Sequence, residues 1–81
     1  MTAQQVDNVL DKLSANSFLN HFEGINHDAD MLHVFYTSFT LLNYEALVEF
    51  CAEEELFFYS APNKQYFQLT LINDPVYEAG N

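Results

Sequence analysis

Arginine is missing from this sequence, and lysine occurs only as Lys12 and Lys64. Against these two cations stand twelve Asp and Glu, a formal net charge of −10. Soluble domains ordinarily mix both signs across roughly 25% charged residues. A field so one-sided repels nucleic acid and anionic lipid and attracts basic surfaces, which disfavours direct DNA or RNA binding. Cys51 is the single cysteine, so an intramolecular disulfide and a cysteine-built zinc site are excluded, and a reducing, cytoplasmic setting is expected. Two glycines leave no phosphate-cradling loop. No run approaches the ~18 apolar residues that cross a bilayer, and the opening MTAQQVDNVLDKL has neither a basic leader nor an apolar run, so neither membrane embedding nor signal-directed export is expected.

What is present is the material of a core. Hydrophobic residues make up 49% of the chain, and eight Phe and five Tyr bring aromatics to 16%, well outside the composition of disordered chains. The 81 residues suit one domain spanning 1–81, with 1–2 and 75–81 expected as flexible ends. A chain of this size buries only about 60–65% of its unfolded surface, so dimerisation would be one form of added stability.

Thr2 and Gln5 match a capping box, and Val6, Val9, Leu10 and Leu13 recur at helical spacing, predicting a helix over about 3–14. Phe18, Leu19 and Phe22 would fall on the opposite side of a continuous helix, so a second short helix is expected, capped by Asn16 or Ser17 and stopped at Gly24. Residues 25–30 read as a polar connection and Met31 to Thr40 as a strand rich in β-branched and aromatic residues. Asn43 is expected to cap a third helix with Tyr44, Leu47, Val48 and Cys51 inward and Glu45, Glu49 and Glu53 outward. Leu56 to Ser60 and Gln65 to Ile72 form a hairpin around Ala61-Pro62-Asn63-Lys64. The expected fold is α+β, in the order helix, helix, strand, helix, strand, strand, with helices on one face of a mainly antiparallel three-stranded sheet.

Glu45, Glu49 and Glu53 would stack along a helix at ~6 Å intervals. Asp7 and Asp11 repeat that spacing on the first helix. Glu53, Glu54 and Glu55 crowd a helix C-terminus, whose partial negative charge makes each anion cost ~0.3–1 kcal/mol. Accepting several local penalties at one place marks a functional surface, although good helix formers selected for solubility would look similar. The expected partner-binding residues are therefore Glu45, Glu49, Glu53, Glu54 and Glu55, supported by Asp7, Asp11, Asp28 and Asp30. A folded carboxylate array can occupy the groove that a basic protein offers to phosphates. In small size and strong acidity alone, the chain resembles nucleic-acid mimics such as phage-encoded inhibitors of restriction or CRISPR effectors. That resemblance implies an inhibitor of a nucleic-acid-binding protein and transfers no residue role.

Other chemistry reads weakly. His21, His27, Asp28, Asp30 and His33 collect metal-ligand types in a short span but lack the convergence of a zinc site and the glycine and terminal Glu of a calcium loop, so no metal or cofactor is expected. Cys51, on an inner helix face among acids, is core rather than nucleophile. No paired acid and base suggests a pocket, and catalysis is not expected. The alternative function is a hydrophobic interaction module, a homodimer or adaptor using aromatic sheet surface such as Tyr59 and Tyr66, with acidity serving solubility.

Overall fold

The computed structural model describes residues 1–28 and 30–73. Helix α1 spans Ala3–Ala15, strands β1 and β2 span Gly24–Asp28 and Met31–Tyr36, helix α2 spans Leu41–Glu54, and strands β3 and β4 span Phe57–Asn63 and Tyr66–Ile72. Helix α1 starts as its sequence dictates: the Thr2 hydroxyl accepts from Gln5 N and the Gln5 side chain accepts from Thr2 N, satisfying amides that lack intrahelical partners. Val6, Val9 and Leu13 are its buried stripe.

Among the described residues the sheet has four antiparallel strands in the order β1-β2-β4-β3, not three, and there are two helices, not three. The expected second helix fails because its segment is too short to offset helix nucleation and because its polar residues serve turns instead. Asn16 Oδ1 accepts from Phe18 N, Asn16 O accepts from Leu19 N, and Leu19 is fully buried as an anchor. The expected connection over 25–30 contains β1, an edge strand in which Ile25 pairs with Val34 and His27 with Leu32. Its residues lack alternation because both of its faces meet solvent. Ala61, Pro62 and Asn63, expected in a turn, extend β3, and the hairpin reverses at Lys64 and Gln65. Pro62 is tolerated there because β3 is an edge.

Register fixes the two sheet faces. Leu32, Val34 and Tyr36 lie opposite Leu71, Leu69 and Phe67, with Phe58 beside Leu71. These side chains share one core with α1 and with Leu47, Phe50 and Cys51 of α2. Both helices therefore cover the same face. The Tyr36 hydroxyl, fully buried, donates to Leu19 O at 2.9 Å, which ties the α1–β1 connection to the centre of the sheet and lets a polar atom sit in the core at little cost. Met1 packs into the same core. The flexible end expected over 75–81 lies outside the described residues.

Candidate functional site

Thr40, not Asn43, caps α2. Its hydroxyl accepts from Asn43 N, and the Asn43 side chain accepts from Thr40 N. Asn43 thus fills the reciprocal position of a capping box and also donates to Phe18 O at 2.7 Å. The inward face is set accordingly: Leu47, Phe50 and Cys51 are buried, with Ala46 partly covered. Tyr44 and Val48, expected inward, are 45% and 44% exposed, and Leu41 and Leu42 are 73% and 62% exposed. Phe50 takes the inward place because a stripe through Leu47, Phe50, Cys51 and Glu54 follows the 3–4 spacing of one helix face.

At ~100° per residue the outward half of α2 divides lengthwise. Tyr44, Val48, Leu41 and Ala52 form one strip, and Glu45, Glu49 and Glu53, with Leu42 at its N-terminal end, form the adjoining one; all eight are exposed. The apolar strip borders β3, where the Tyr44 ring meets Phe58 edge-on with centroids 6.0 Å apart. The apolar strip was missed in sequence because the inner face was assigned to Tyr44 and Val48. The detectable signal is that α2 carries apolar residues on every side, unlike an ordinary half-buried helix.

Helix α2 ends in a left-handed residue. Glu55 has φ 58° and ψ 45°, and Cys51 O accepts from both Glu55 N and Leu56 N. Glycine usually occupies this place because an L side chain crowds its own backbone there. A carboxylate at this point also meets the negative end of the helix dipole.

The remaining acids are divided among several places. Lys12 reaches across from α1 to Glu54 at 2.7 Å, so Glu54 is the α2 carboxylate with a cation partner among the described residues. This pair is largely solvent-screened. Because Lys12 marks the flank of α1 that faces α2, helical spacing puts Asp11 outward and Asp7 toward the far flank; both are exposed. Asp28 and Asp30 lie at the β1–β2 turn, away from the α2 row, where Asp30 O accepts from the Met1 amine at 3.1 Å. The structure thus brings Glu45, Glu49 and Glu53 into one row, leaves Glu55 at the left-handed end of the same helix, and separates Asp7, Asp28 and Asp30 from that row.

The sheet face opposite the helices carries a polar cluster. His33 Nδ1 lies 2.9 Å from the Thr70 hydroxyl and accepts from Gln68 Nε2 at 3.1 Å, while Gln68 Oε1 accepts from Asn63 at 2.8 Å. Tyr59 and Phe57 are about half exposed on this face, and Tyr66 meets Phe35 edge-on at 6.2 Å. Open depressions of about 330 Å³, lined by Glu23, Phe35, Lys64 and Tyr66 among others, and about 350 Å³, lined by Phe39, Pro62 and Phe67 among others, flank the β3–β4 turn. The three histidines have separate roles. His21 faces Ser38 O and Tyr36, His27 faces Met1 O, and His33 belongs to the polar cluster. Among the described residues no three His, Cys, Asp or Glu side chains gather as a metal site. Burial pushes the Cys51 thiol up to about 12, the reverse of an activated nucleophile.

Compared with known proteins, the chain matches no family model, no curated protein and no solved structure. Among the described residues no helix is long and apolar enough to cross a membrane.

Proposed function

We propose that this protein is a non-enzymatic binding protein that docks onto the basic surface of a nucleic-acid-binding protein and so inhibits or regulates it, in the manner of a nucleic-acid mimic. The observation that supports this reading is the row of Glu45, Glu49 and Glu53, which has no cation partner among the described residues, together with Glu55 at the helix end, a glutamate held where both backbone geometry and helix dipole favour another residue. Such a row gives a rigid line of negative charge whose attraction to lysine and arginine arrays depends on ionic strength. Asp11, exposed on α1, adds charge outside the row. Asp7, Asp28 and Asp30 add to the long-range field without joining the row.

The test is capture from an extract of the native host on the immobilised chain, at low and high salt. A basic nucleic-acid-binding protein should be retained at low salt, released as salt rises, and displaced by added duplex DNA or RNA. The double charge reversal Glu49→Lys with Glu53→Lys should abolish retention without lowering the thermal unfolding midpoint, because it also relieves like-charge repulsion. Retention that ignores salt and charge reversal would sink the proposal. A hydrophobic interaction module is the second reading, favoured by the exposure of Leu41, Leu42, Tyr44 and Val48. On that reading charge reversal is harmless and truncating these side chains is not.

A further inference from the structure

The exposed half of α2 presents two strips side by side, and apart from the Tyr44 ring against Phe58 folding explains neither. Leu41, at 73% exposed, buries little of its side chain, and Val48 is turned outward although the core is one helical face away. Large apolar side chains grouped on one exposed face mark interaction surfaces. Carboxylates beside them restrict what can cover that surface. A second copy would bring another net charge of −10 against the first, and packing two apolar strips together in antiparallel fashion would set the two glutamate rows against each other. Nucleic acid is repelled by the same charge, and an anionic membrane likewise.

We infer that α2 is the docking element and that its occupant is a different protein. The partner offers an apolar groove or helix face for Leu41, Tyr44 and Val48, bordered on one side by lysine or arginine opposite Glu45, Glu49 and Glu53. This deepens the proposed function and rests on it: the carboxylates select a basic partner and speed its approach, while the apolar strip supplies the water-excluding contact that slows its departure. Helix-in-groove recognition uses anchors at i, i+3 or i+4, and i+7, which is the spacing of Leu41, Tyr44 and Val48.

The experiment uses the whole chain and three labelled peptides of one length, read by fluorescence anisotropy. One peptide is an amphipathic helix with leucine along one face and lysine along its border. The second is the same composition scrambled, and the third carries glutamate in place of lysine. The patterned basic peptide should bind about tenfold or more tightly than the scrambled one, equivalent to about 1.4 kcal/mol, and the acidic peptide should not bind. The double substitution Leu41→Gln with Val48→Gln alters exposed positions and keeps good helix formers. It should erase the preference for the patterned peptide yet retain weak, salt-dependent binding to both basic peptides. Equal binding of patterned and scrambled peptides by the wild-type chain would overturn the inference and leave the charge reading standing. Basic-peptide binding that survives Glu49→Lys with Glu53→Lys would overturn the charge reading itself. Sedimentation that finds a dimer dissociated by the Leu41 and Val48 substitutions would assign the strip to a second copy and also overturn the inference.

Discussion

Burial governs chemistry at individual residues in this protein. Cys51 is buried among Leu47, Phe50 and the sheet, and desolvation raises its thiol to about 12 because the interior disfavours the thiolate. The unfolded chain releases this proton near the ordinary thiol value of ~8.5. The stability that comes from a neutral thiol is therefore complete below ~8.5 and is lost as pH rises from there toward the folded value. Tyr36 is also raised by burial and adds a loss in the same direction, beginning higher because a free phenol ionises near ~10. Urea unfolding at pH 8 and pH 10 should show wild-type stability falling by about 1–2 kcal/mol more than that of Cys51→Ala over the same interval. Equal losses in the two proteins would show that Cys51 is not shielded. The inward placement of Cys51 was legible in the sequence. That of Tyr36 was not, because its partner Leu19 O sits in a connection that had read as helix.

The ends of elements were partly legible. Thr2 and Gln5 announced α1 because capping-box geometry is local and its residues are adjacent in sequence. Helix α2 was recognisable, but its start and its rotation were not: Thr40 and Asn43 are both good caps, and apolar residues on every side leave the inner face to be chosen by the sheet. Glu55 is the clearest case of local structure set against preference. Glu55→Gly should relieve left-handed crowding and remove an anion from the helix C-terminus, giving about 1 kcal/mol of added stability. In a domain of this size that corresponds to an unfolding midpoint higher by about 4–8 °C. Calorimetry showing an unchanged or lower midpoint would remove the argument that this glutamate is kept at the expense of stability.

Across the whole molecule, one charge imbalance acts on two equilibria in opposite directions. With a radius of gyration of 12.2 Å, the carboxylates of one copy sense one another when the screening length is ~30 Å at 0.01 M salt and do so much less when it is ~10 Å at 0.1 M. Added sodium chloride should therefore raise the unfolding midpoint by relieving self-repulsion while weakening capture of a basic partner. Parallel calorimetry and binding titrations across that range check both signs. A midpoint that falls with salt would mean that attractive pairs such as Lys12 with Glu54 outweigh repulsion.

The sequence by itself determined that this chain folds into helices and strands around a hydrophobic core, that it bears an extreme negative charge, and that Glu45, Glu49 and Glu53 align on one helix. Composition and helical period are properties of neighbouring residues and need no distant partner. Only the tertiary structure decided the fourth strand, the loss of the expected second helix, the outward turn of Tyr44 and Val48, and the separation of Asp7, Asp28 and Asp30 from the glutamate row. Edge pairing and helix rotation are chosen by long-range contacts: β1 exists because β2 offers it a register, and α2 faces as it does because Leu47, Phe50 and Cys51 fit the sheet together.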